Sequence, residues 1–255
     1  MSKFVVKLHN LANSSNAPIG FRHSIPEAKS PTMLLVARLF GAKLSEAKII
    51  ADSNANAGLI WDEGLSNKIV GQMVKALRDI PLGVYVRGTG EQKMDELVSL
   101  GCDFVVLDIS IPASVLQKED VGKFLMMKPS LDQGLARAIN SLAIDGVFIS
   151  GESEDSIVAV EHLLVCRRFV EILEKPVIMV LPSFITKAEL AALRETGVVG
   201  LVAGSRQSSE TLRELGAMIN ELPEKPEGRR AKADVKLPQY GGSVSGEEDE
   251  EQEEI

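Results

Sequence analysis

Between about Met33 and Leu222 the chain alternates two hydrophobic rhythms. A short run rich in Val, Ile, Leu and Met comes first. A turn follows, and then apolar positions three and four apart are set among polar ones. The short runs are 33–38, 57–62, 82–87, 103–108, 123–128, 145–150, 176–181 and 198–203, beginning 20 to 31 residues apart. That spacing is the length of one strand–helix unit. Runs apolar on both faces are the mark of strands buried in a parallel sheet. Eight of them predict an α/β fold, a closed (β/α)8 TIM barrel wrapped in helices. An open doubly wound sheet is the alternative, but its usual glycine-rich first turn is missing here.

The intervening segments read as helices. From Ser66 to Asp79, Ile69, Val70, Met73, Val74 and Leu77 share one face at helical spacing. Thr186-Lys-Ala-Glu189 and Ser209-Glu-Thr-Leu212 open helices with a hydroxyl cap and an early acid. Gly101 and Gly197 stand where a left-handed residue would close one. Between Asp108 and Lys123, Pro112 and a polar stretch leave room for only a stub.

The barrel is thus assigned to residues 32–222. Residues 1–31 form an N-terminal extension. Phe4, Val6 and Leu8 alternate there against Lys3 and Lys7, which predicts either a strand or a cover for the barrel floor. Residues 223–255 contain Pro-Glu-Lys-Pro-Glu-Gly-Arg-Arg and the acidic run Glu247–Glu254, and are expected to be a disordered acidic tail.

Charge sharpens the picture once it is divided. The formal net charge is −8. The tail carries ten acidic and five basic residues, leaving −3 for everything before it. With no basic excess, nucleic acid is not expected as a partner. No apolar run approaches the roughly 18 residues that span a bilayer, and the start is too weakly apolar for a signal peptide; a cytoplasmic protein away from membranes is expected. Cys102 and Cys166 lie in apolar stretches without paired spacing, and read as reduced core thiols.

Candidate chemistry gathers at the strand ends, where barrels of this kind bind their ligands. Five consecutive runs finish on a charge: Arg38, Asp62, Arg87, Asp108 and Lys128. If the sixth residue of each run faces inward, these charges share one mouth. Arg38 and Arg87 would then clamp a carboxylate or phosphate. Lys128, between Met127 and Pro129, would be desolvated enough to act as base or electrophile, and Asp108 or Asp62 would move a proton. The alternating signs equally suit a network that seals the barrel top. Trp61 is read as core beneath a helix in preference to a stacking platform, and Gly88-Thr-Gly90 as a plain turn in preference to a phosphate cradle. Glu152 with Asp62 and Asp108 leaves magnesium as a minor alternative, but no metal is assigned. His9, His23 and His162 end no strand, so neither a histidine-ligated metal nor a serine–histidine nucleophile has support.

The last two units carry a resemblance. Val180-Leu-Pro-Ser-Phe-Ile-Thr186, Glu195-Thr-Gly-Val-Val-Gly200 and Ala203-Gly-Ser205 resemble the corresponding part of the phosphate-binding (β/α)8 barrels, such as indole-3-glycerol-phosphate synthase, thiamine-phosphate synthase and FMN-binding relatives. The stretch from Ala76 to Arg87 is similar to the synthase's third unit. The resemblance implies a phosphate held near Ser183, Gly204 and Ser205, and admits FMN as a cofactor. Ser183 and Phe184 stand where those barrels usually have two glycines. Arg38 and Arg87 stand near the synthase's lysines, so its specific activity is not implied.

Together these features predict an anion-binding barrel acting as a lyase or isomerase on a small phosphorylated or carboxylated metabolite. The alternative from another class is a degenerate, non-catalytic barrel serving as a scaffold. Its helix from Ser153 to Leu173, with Ile157, Val160, Leu164 and Ile172, would contribute to a homo-oligomer interface.

Overall fold

The computed structural model describes residues 1–14, 31–40, 44–61, 66–88, 91–150, 157–182, 185–204 and 208–223. Of the predicted tail, 223–255, residues 224–255 lie outside them. The strands are β1 Leu34–Leu39, β2 Ala57–Ile60, β3 Leu82–Val86, β4 Phe104–Leu107, β5 Gly122–Met127, β6 Gly146–Ile149, β7 Val177–Val180 and β8 Gly200–Val202. The helices are α1 Lys3–Ser14, α2 Leu44–Ala51, α3 Asn67–Leu77, α4 Glu91–Ser99, α5 Gln133–Ala138, α6 Val160–Ile172, α7 Lys187–Glu195 and α8 Ser209–Asn220. All eight strands pair in parallel with their sequence neighbours, and β8 closes onto β1. The chain folds as a (β/α)8 barrel. The predicted stub is a 3-10 turn at Ala113–Gln117.

Strand alternation separates two apolar layers. Outward residues such as Leu35, Val84, Val105, Leu125 and Met127 pack under the helices. Inward residues, among them Leu34, Val36, Leu59, Tyr85, Phe104, Phe124, Phe148 and Val202, fill the barrel. The filling pairs large with absent side chains. Phe104 is flanked in register by Gly83 on β3 and Gly122 on β5. A Cβ at Gly83 would clash with the edge of the Phe104 ring, and one at Gly122 would stand 2.8 Å from Ser2 Oγ. Gly83→Ala is therefore expected to lower stability by about 1–3 kcal/mol through overpacking, measured by urea denaturation. A neutral result would mean that Phe104 is not seated against β3.

The N-terminal strand alternative is overturned: Phe4 to Leu8 are helical and close the floor. Phe4, Leu8 and Leu11 lie at helical spacing and join the interior cluster. The alternation of Phe4 and Val6 misleads, because Val6 is solvent-exposed and Val5 is the buried neighbour. Asp103, just before β4, anchors this helix. Its carboxylate accepts from Ser2 Oγ at 2.7 Å, the Lys3 N–H at 2.7 Å and the Phe4 N–H at 2.9 Å. First-turn N–H groups lack partners within their own helix, and an acid there also favours the dipole.

The helix ends follow the sequence with one correction. Thr186 caps α7 through the Glu189 N–H, and Glu189 bonds back to the Thr186 N–H. The cap of α8 is Ser208 rather than Ser209, accepting from the Thr211 N–H at 3.2 Å. Gly101 and Gly197 adopt φ of 89° and 97°, where an L side chain would be strained. Both cysteines are buried and free, and burial pushes each thiol up to about 12. No helix among the described residues is long and apolar enough to cross a membrane.

Candidate functional site

At the carboxyl ends of the strands, four of the five predicted charges continue inward-facing columns. Leu34 and Val36 lead to Arg38, and Gly83 and Tyr85 to Arg87. Phe104 and Val106 lead to Asp108, and Phe124 and Met126 to Lys128. On β2 the parity differs by one residue. Ala57 and Leu59 are interior, and Trp61 packs with them. The inward place that the run's length gave to Asp62 is thus taken by Trp61; Asp62 itself lies outside the described residues, as do Ser183 and Ser205. Glu152 and most of the Gly88–Gly90 turn also fall outside them.

The reading of Trp61 as core beneath a helix is corrected. Its ring packs against the Arg38 guanidinium, whose carbon is 3.8 Å from the ring centroid. Phe40, two residues after Arg38 and so on the same face, holds the other contact at 4.2 Å. Trp61 also meets Tyr85 at 4.8 Å and 44°, and Arg87 lies over Tyr85 at 4.8 Å. The result is a connected array of two arginines and three aromatic rings along one side of the mouth. Such rings attract cations through their negative faces and fix a long side chain in one orientation. For Trp61 the structure favours the stacking alternative; Phe40 went unrecognised in the sequence, although counting by twos from Val36 reaches it.

Arg38 is held in an unfavourable place for a charge. Burial, and then the like charge of Arg87, lower its pKa to about 10. Its Nε is buried with no hydrogen-bond partner among the described residues. Arg87 and Lys128 are exposed. For Lys128 this overturns the expected desolvation: Met127 points into the helix layer, so it does not shield the neighbouring ammonium.

Asp108 is tied to its own loop. Its Oδ1 accepts from Ser110 Oγ at 2.7 Å and from the Ser110 N–H at 3.0 Å. The Ser110 hydroxyl, then its N–H, then Arg87 and Lys128 hold the carboxyl below the usual range. An acid so stabilised is ionised at neutral pH. It suits orienting cations, or accepting a proton, better than donating one. Gly204, just past β8, is buried and lines a cavity that also reaches Arg38. Among the described residues no three of His, Cys, Asp and Glu gather as metal ligands. His162 instead accepts the Ala159 N–H through Nδ1 at 3.0 Å, closing the start of α6.

No family model matches this chain, and no curated protein does. Solved structures do. A mutant of the tryptophan synthase alpha-subunit from Pyrococcus furiosus aligns with TM-score 0.61 and 13% identity, over 74% of this chain and 98% of that one. Thiamine phosphate pyrophosphorylase from the same organism aligns with TM-score 0.58 and 16% identity, over 74% and 96%. A protein from Aquifex aeolicus VF5 gives TM-score 0.58 and 13% identity, over 87% and 98%. At such identities the likeness is one of architecture, which is what strand order and closure display independently. This chain is a (β/α)8 barrel that places two arginines, a lysine and an aspartate on its carboxyl-terminal rim.

Proposed function

We propose that the rim binds a small phosphorylated or carboxylated metabolite and that the protein acts on it as a lyase or isomerase. The observation that carries this is the convergence of Arg38, Arg87 and Lys128 on one rim, with Asp108 as the single described carboxylate in that ring. The arginines offer planar forks to an oxyanion. Lys128, reachable from solvent, serves as electrophile or base, with Asp108 as its proton partner. Asp62, which follows β2 and is separated from β4 by β3, is the further candidate for a proton partner. Gly204 supplies backbone unobstructed by a side chain, and with Ser205 and Ser183 would complete a phosphate cradle at the last two strands. A neighbour named for a thiamine phosphate supports the phosphorylated class; the same cradle could hold the phosphate of FMN.

Arg87→Ala and Lys128→Ala test this reading. Each is expected to weaken binding of inorganic phosphate or a small carboxylate about 10- to 100-fold, the worth of a charge-assisted hydrogen bond. Titration calorimetry at low salt measures it, because exposed charges are screened. Melting temperature should hardly move, since both side chains are exposed. A large fall in melting temperature, with no anion bound by the parent protein, would instead identify a network that seals the barrel. That outcome would favour the scaffold reading, for which one observation speaks. Ile157, Val160 and Leu164 are 63%, 71% and 66% exposed on and beside α6, an apolar face suited to a second copy of the chain.

A further inference from the structure

Beside the rim, between the ends of β1 and β8 and the helices α2 and α8, lies a cavity of about 220 Å³. Its walls include Leu39, Phe40, Ile49, Ile50, Ala203 and Leu212. None of these side chains donates or accepts a hydrogen bond. A sugar or a nucleotide base among them would lose its bonds to water without replacement. An apolar cavity of about 150 Å³ already holds benzene, so this one has room for a hydrocarbon body of that size and a small head group. Among the described residues, Arg38 is the cation that faces the chamber. Glu46, in the first turn of α2, lines it too, but has an interaction of its own and makes no demand for a ligand cation.

We propose that this chamber binds a small monocarboxylate with a hydrocarbon body, the size of a branched short-chain acid. The carboxylate lies on Arg38, and the hydrocarbon against Ile49, Ile50, Ala203 and Leu212. This rests on the reading of Arg38 as an anion-binding residue, and selects the carboxylated class over the phosphorylated one at that residue. Phe40 and Trp61 hold the guanidinium plane at 4.2 and 3.8 Å, which leaves its edge for an oxyanion. The buried Nε lacks an acceptor among the described residues, and such a donor is costly until one arrives. Two features then separate the classes. A carboxylate has two oxygens, and one guanidinium edge pairs with both; a phosphate brings a third oxygen that the apolar side chains cannot meet. A carboxylate also matches the single charge of Arg38. A phosphate monoester carries about −1.5 to −2 at neutral pH, and its excess would stay unpaired among apolar walls beside Glu46.

Titration calorimetry on the full chain with five probes tests this: 4-methylpentanoate, 3-methylbutyl phosphate, 4-methylpentanamide, acetate and inorganic phosphate. The first three share one branched hydrocarbon and differ in the head group. The carboxylate is expected to bind at least ten-fold more tightly than the alkyl phosphate, the amide or acetate. Arg38→Met should weaken it at least ten-fold. Ala203→Leu should fill the chamber and bring 4-methylpentanoate down to the affinity of acetate. Ile49→Phe, at a partly exposed wall, reads the same effect should Ala203→Leu fail to fold. If inorganic phosphate binds but 4-methylpentanoate binds no better than acetate or 3-methylbutyl phosphate, the monocarboxylate chamber falls and the anion-binding rim stands. If all five probes fail to bind, both fall. An amide that binds as tightly as the acid also overturns the proposal, as does a 4-methylpentanoate affinity unmoved by Arg38→Met and by both filling variants.

Discussion

Phe4→Ala is expected to remove about 3–5 kcal/mol of stability, the usual cost of deleting a fully buried phenyl ring. Phe4 is completely buried. Its ring stacks on Phe104 at 4.4 Å and 25°, and leans on Phe124 at 5.4 Å. Phe124 in turn meets Phe148 edge-on at 5.4 Å. The substitution therefore empties the place where the floor helix enters the aromatic stack, and the glycines at the strand starts offer no side chain to collapse into it. Urea denaturation measures the loss. Phe4→Leu should recover much of it by restoring volume without the stacking. A loss below about 1 kcal/mol would show that α1 does not close the barrel.

The largest functional effect is expected at Arg38, with an opposite sign for stability. Arg38→Met should weaken anion binding about 10- to 100-fold and leave the melting temperature unchanged or raised. The guanidinium is disfavoured where it stands, by burial, by Arg87 and by the absence of an acceptor for Nε among the described residues. Methionine keeps the length, loses the charge, and packs well on aromatic rings such as Phe40 and Trp61. A residue whose removal helps the fold but harms binding is retained for binding. Trp61 is the only tryptophan in the chain, so its fluorescence reports directly on the neighbouring guanidinium as an anion arrives. A marked fall in melting temperature, with the fluorescence response to anions intact, would make Arg38 a structural residue instead.

The barrel was legible in the sequence because each strand is apolar on both faces and all but the fourth are followed by a helical segment. Those signals are local, and they repeat. The floor was harder to read, because Phe4, Val6 and Leu8 fit a strand period while Phe4, Leu8 and Leu11 fit a helical one. What decides between them is the distant Asp103 and the space left by Gly83 and Gly122, which no local pattern displays. At the mouth, four charges were placed on the correct face because their runs begin in the same phase. The β2 run begins one residue out of phase, so the same count reached Asp62 where the structure seats Trp61. The aromatic sheath around Arg38 arises where β1 and β2 pair. It becomes visible only once those two strands lie side by side.

The docking of α1 also has a temporal consequence. Ser2 bonds to a residue 101 positions later in the chain, and the phenyl rings that receive Phe4 belong to β4 and β5. On a ribosome adding about 5–20 residues each second, α1 waits roughly 5 to 20 seconds before its berth has been synthesised. During that interval an amphipathic helix is loose with Phe4, Leu8 and Leu11 uncovered. Its premature clustering with another nascent chain is the hazard that this architecture must outrun.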